Sequence, residues 1–139
     1  ESLVALGRGP TLAIAREASL KLKETCDLHA EAFSGAEFLH GPVALVRAGY
    51  PILMFMPTDE AADSMRQLAR DPRLENSSLF VAEAGAPTKG RLPALARDVP
   101  ETDAICLIQT FYAAAVQLAK KRGTDIDRPR HLQKVTRTR

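Results

Sequence analysis

The sequence carries almost no excess charge: 19 Lys and Arg against 17 Asp and Glu leave a formal net charge of +2. That balance excludes the broad basic face of a nucleic-acid or membrane-surface binder. Basic residues gather only near the C-terminus, at Arg128, Arg130, Lys134, Arg137 and Arg139. Cysteine is scarce. Cys26 and Cys106 lie in apolar segments with no CxxC spacing, which excludes a disulfide framework and fits reduced core thiols of a cytoplasmic protein. Three scattered histidines and two lone cysteines make no metal-ligand set, so no metal or cofactor is expected. The opening residues Glu1 to Leu6 have no basic n-region and no signal-type run. With no initiator Met and a strand starting at residue 3, the chain reads as a fragment whose N-terminal part is missing.

What is present suits one soluble domain over residues 1–139, with 45% hydrophobic and 26% charged residues. A chain of this size buries enough surface to need no staple. Leu3–Leu6, Leu28–Phe33, Pro51–Met56 and Ser78–Ala82 read as strands, and Ala96–Pro100 as a weaker fifth. Pro10–Cys26, with Pro just inside its start, reads as a helix, as do Asp59–Arg70 behind a Thr58 N-cap and Thr102–Arg122 ending at Gly123. A short helix or turn covers Ala36–His40. Alternating strands and helices predict an α/β fold: a three-layer, doubly wound, parallel sheet of five strands in flavodoxin-like order. Ligands of such sheets sit at the carboxyl ends of the strands. That places Gly7, Arg8 and Gly9, with Pro57 to Asp59, at a binding rim. Gly7-Arg8-Gly9 lacks the third glycine of a dinucleotide fingerprint.

Two helices are more apolar than one small domain can cover. On the first, Arg16 and Lys23 share the natural solvent side, while Leu12, Ala15, Ala18, Leu22 and Cys26 face broadly toward the sheet. A third stripe holds Glu17, Lys21 and Glu24 within about 60° of one another, flanked by Ala13, Ile14 and Leu20. Two readings stand. One is an exposed ion-pair ladder. The other is a polar cluster facing a cleft, where a carboxylate beside an ammonium group serves proton transfer. The stretch Ala104–Ala119 is apolar nearly all round, broken by Gln109, Thr110 and Gln117. It reads as too short and interrupted for a membrane span, and needs cover from another domain or subunit.

Three stretches, in order, carry a resemblance. They are Leu6-Gly7-Arg8-Gly9-Pro10 followed by Arg16 to Glu24; Leu28 to Phe33 followed by Gly35-Ala36-Glu37-Phe38-Leu39-His40-Gly41-Pro42; and Gly123 to Thr136. Together they resemble the second sugar isomerase (SIS) domain of the isomerising glucosamine–fructose-6-phosphate aminotransferases and their glutaminase-free relatives. The resemblance implies a two-SIS-domain enzyme in which the first domain, lacking here, holds the phosphate loops. It implies Glu24 as the base that moves a proton between C1 and C2, Lys21 beside it and Glu17 in support. It further implies His40 as the ring-opening group, reaching the neighbouring subunit's site in a homodimer, and Lys134 as the amine that condenses with the keto sugar. The ending His131-Leu132-Gln133-Lys134-Val135-Thr136 lacks the family's Ser after Lys and looks more like the glutaminase-free branch. The expectation is therefore isomerisation with deamination of an amino-sugar 6-phosphate. The aminotransferase's isomerase domain and a non-catalytic sugar-phosphate sensor are the alternatives.

Overall fold

The computed structural model describes residues 2–85, 91, 92, 95, 97–130 and 132. Four parallel strands make the sheet: β1 (Ser2–Gly7), β2 (His29–Ser34), β3 (Pro51–Phe55) and β4 (Ser78–Ala82). A two-residue ladder, β5 (Arg91–Leu92), lies outside β4, giving the order β2-β1-β3-β4-β5. Ser2 pairs with His29 and Gly7 with Ser34, and Val4 on the other side pairs with Ile52. This is the doubly wound α/β order expected from the sequence. Of the expected Ala96–Pro100 strand, Ala96 lies outside the described residues, and no strand forms over the described ones. Arg97 to Val99 is irregular, and Pro100 opens the last helix because its fixed φ suits the first turn.

Strand periodicity divides the core. Val4 and Leu6, and Ile52 and Met54, face one layer, whereas Ala5 and Phe55 face the other. The first layer is closed by α2 (Gly35–Leu39) and α3 (Ala62–Ala69), which contribute Phe38, Met65 and Leu68. The second is closed by α1 (Pro10–Cys26) and α4 (Pro100–Arg122). Its contacts are dominated by small residues: Ala15 and Ala18 of α1, and Ala115 and Ala119 of α4. Phe55 fills the space beneath α4 by an edge-on contact with Phe111, with ring centroids 6.0 Å apart.

Two helix ends depart from expectation. α3 begins at Ala62, not Asp59, because the Thr58 hydroxyl does not cap it. Instead Thr58 Oγ1 donates to buried Asp103 Oδ2 at 2.6 Å, tying the carboxyl end of β3 to the start of α4. At 23 residues, with a mean hydropathy of 1.2 over its most apolar window, α4 is long and apolar enough to cross a membrane by length and composition. The sequence-based judgement that it is too short is corrected on that count. In the fold α4 lies along α1 and the sheet, burying Leu107, Phe111, Ala115 and Ala119. Cys26 is buried, but Cys106 is only half-buried and is not a full core thiol.

Candidate functional site

The chain turns sharply out of β1. A Cβ on Gly7 would overlap the Thr11 carbonyl, and Gly9 has φ 56° with a Cβ position 2.9 Å from Asp59 Oδ2. Both glycines are thus required by the turn itself. The Arg8 N–H donates to Thr11 Oγ1 at 3.0 Å, which starts α1. The Arg8 guanidinium extends across the strand ends and donates to Ser64 Oγ at 3.3 Å.

His40 stands at the same end of the sheet. Ser34 and Glu37 form a reciprocal capping box that launches α2, and this hydrogen bonding holds the Glu37 carboxyl below its usual range. His40 then ends the helix and stays exposed, while its neighbour Phe38 is fully buried. His40 and Arg8 share the lining of a 390 Å³ cleft with Gln67 and Asp71.

The charged stripe lies further along α1. Lys21 Nζ donates to Glu24 Oε2 at 2.7 Å and stands 3.8 Å from Glu17 Oε1. Their side chains are 33%, 27% and 34% exposed, so the cluster is neither fully dry nor openly solvated. The hydrogen bond to Glu24 holds the Lys21 ammonium above the ordinary lysine value against partial burial, with the charges of Glu24 and Glu17 adding to the effect. Beside the cluster, Leu20 of α1 is 43% exposed, making an apolar border. A carboxylate held this way can take up a proton while the adjacent ammonium offsets neighbouring negative charge.

Sequence reasoning did not single out Tyr112. Its phenol, on α4, donates to Glu17 Oε1 at 2.9 Å. Burial, then the bond to Glu17, raises its pKa above the ordinary phenol value, so the hydroxyl keeps the proton with which it donates that hydrogen bond. Its signal is visible only once α1 and α4 are known to run side by side.

Glu17, Lys21 and Glu24 are therefore brought together, and so are Arg8 and His40. The two groups are not. Glu24 lies fourteen residues beyond Pro10, about 20 Å along the helix axis. Lys134 lies outside the described residues. The segment leading toward it is anchored at the far end of α1. Thr124 Oγ1 donates to the Thr25 carbonyl at 2.5 Å, Arg122 Nε donates to the Cys26 carbonyl at 2.6 Å, and Arg130 Nη1 stands 3.9 Å from Asp27 Oδ2. Among the described residues no three His, Cys, Asp or Glu side chains gather closely enough to hold a metal ion.

Comparison with known proteins finds that the family model for the SIS domain matches residues 1–73. Over 135 residues the chain is 36% identical to a glutamine–fructose-6-phosphate aminotransferase (isomerizing) of Vibrio vulnificus strain YJ016. That alignment covers 93% of this chain and 22% of the relative, so the chain spans about a fifth of the length of this curated relative. The C-terminal domain of glucosamine-fructose-6-phosphate aminotransferase from Francisella tularensis superposes with a TM-score of 0.82 at 29% identity, covering 93% of this chain and 38% of that one. A Silicibacter pomeroyi DSS-3 protein assigned as a phosphosugar isomerase superposes with a TM-score of 0.76 at 41% identity, covering 91% and 38%.

Proposed function

Because the chain belongs to the SIS domain family, we propose that it supplies the proton-transfer part of an enzyme interconverting aldose and ketose forms of a sugar 6-phosphate. The observation that carries this is the Glu17–Lys21–Glu24 array, paired at 2.7 Å and bordered by exposed Leu20. Glu24 removes the C2 proton of the open-chain aldose and returns it to C1. Lys21 offsets the charge of the enediolate between those steps. Arg8, with the Gly7–Gly9 turn that presents it, lines the cleft that holds His40 and supports the substrate of the neighbouring subunit's site.

His40 stands with Arg8, at the opposite end of α1 from Glu24, and opens the sugar ring in the neighbouring subunit of a homodimer. Lys134 is four residues beyond Arg130 in the sequence. Arg130 stands beside Asp27, one turn past Glu24. In this reading the Lys134 amine adds to the C2 carbonyl of the ketose, and water leaves as the imine forms. The apolar border of the array receives a further SIS domain carrying the phosphate loops. Two free cysteines fit a reducing cytoplasm.

Glucosamine 6-phosphate is the substrate: with one water consumed, it yields fructose 6-phosphate and ammonia. The reverse, synthetic direction is the second reading, favoured by 36% identity to an aminotransferase over 93% of the chain. Incubating the intact enzyme with glucosamine 6-phosphate distinguishes them. The expected result is equimolar ammonia and fructose 6-phosphate. Product from fructose 6-phosphate plus glutamine alone supports the second reading. Tight sugar-phosphate binding with no turnover in either direction leaves a sensing domain and overturns both.

A further inference from the structure

We propose that Tyr112 is a positioning residue for this proton transfer: it occupies the oxygen of Glu17 that faces Lys21, and so keeps Lys21 on Glu24. The inference rests on the reading of Glu24 as the base.

The geometry is specific. Lys21 stands between two carboxylates but divides itself unequally, at 2.7 Å from Glu24 Oε2 and 3.8 Å from Glu17 Oε1. Both pairs are of a kind an α-helix allows, (i, i+3) and (i, i+4), so helix spacing alone does not choose between them. The Glu17 oxygen nearest Lys21 is the one that accepts the Tyr112 hydroxyl at 2.9 Å. That donor comes from a residue 95 positions away, on a different helix. It satisfies Glu17 without adding a charge, and Lys21 is left to Glu24. The Tyr112 ring leans on the buried Phe111 ring, with centroids 6.2 Å apart, which restrains where the hydroxyl points.

Without the hydroxyl, Glu17 Oε1 loses its donor while an ammonium group waits 3.8 Å away. A charge-assisted bond from Lys21 is the strongest replacement at hand. Lys21 then shifts toward Glu17, and Glu24 loses the cation that orients it. The side chain of Tyr112 thus acts on the reaction through Glu17 and Lys21, without needing to meet the sugar.

The test is a double-mutant cycle in the intact enzyme, turning over glucosamine 6-phosphate. Tyr112→Phe is expected to lower kcat about tenfold, as the loss of one such contact does, with KM within about twofold of wild type. In a Glu17→Gln background, where the side chain no longer competes for Lys21 as an anion, adding Tyr112→Phe is expected to change kcat by less than about twofold. An unchanged kcat in the single variant overturns the inference. So does the same factor in both backgrounds, which a role confined to packing α4 on α1 would produce. Glu24→Gln separates the two levels of the argument. If it is inactive while Tyr112→Phe is normal, only the inference about Tyr112 falls. If it turns over normally, the base assignment falls and takes the inference with it.

Discussion

The two faces of the sheet are packed on opposite principles. Under α2 and α3 the buried residues are large: Phe38, Tyr50, Ile52, Met54, Met65, Leu68 and Leu74. Under α1 and α4, alanines predominate, with Ala5, Ala15, Ala18, Ala30, Ala82, Ala115 and Ala119 all buried. Small side chains let two helices lie close to each other and to the strands. That closeness is what allows a phenol on α4 to reach a carboxylate on α1. The large-residue face gives up such proximity and gains apolar area removed from water. On the proposed reading, the alanine-rich layer holds the proton-transfer array in register at some cost in buried volume, while the large-residue layer contributes chiefly stability and carries His40 at its rim.

The widest test of that division is Glu24→Gln. It should lower kcat about 10³-fold, the usual contribution of a general base, while calorimetry finds sugar-phosphate affinity and thermal midpoint almost unchanged. Near-normal turnover would remove the chemistry from the alanine-rich layer.

A matched pair of core changes comes next. Met65→Ala, on the large-residue face, should cost about 3 kcal/mol in urea denaturation through the cavity it leaves, with kcat per folded molecule preserved. Ala18→Leu, on the other face, should cost about 2 kcal/mol by overpacking and should also lower kcat, since it parts α1 from α4. Equal kinetic effects from the two would erase the distinction between the layers.

The smallest effect belongs to Asp71, beside the large-residue layer. The Arg73 guanidinium and backbone hold its carboxyl down to about 2, against an ordinary value of 3.8. A depressed carboxyl stabilises the fold above its unfolded value, and that contribution is lost as pH falls from 3.8 toward about 2. Asp71→Asn should flatten this acid limb in a pH series of melts.

The same contrast explains what could be read from the chain beforehand. Apolar runs such as Pro51–Phe55 declare a buried strand, because both faces of the sheet are covered. Helix ends written in local chemistry are equally legible, as at Pro10 and Gly123. Glu17, Lys21 and Glu24 could be grouped because helical spacing is a local rule. Arg91–Leu92 escaped notice, since two residues carry no periodicity. Thr58 misled because its partner, Asp103, is 45 residues distant. Tyr112 was hidden for the same reason: no local pattern says which residue of α4 will stand opposite Glu17.

One feature at the end of α1 bears on any attempt to improve the molecule. Asp27 closes that helix with φ 51°, a backbone shape that glycine adopts without steric penalty and aspartate does not. A designer seeking heat resistance would place glycine there as routine. The carboxylate that would be discarded is the mooring for Arg130. The engineered protein would tolerate higher temperatures but lose the ion pair that draws Arg130 to the end of α1, exchanging a contact for durability.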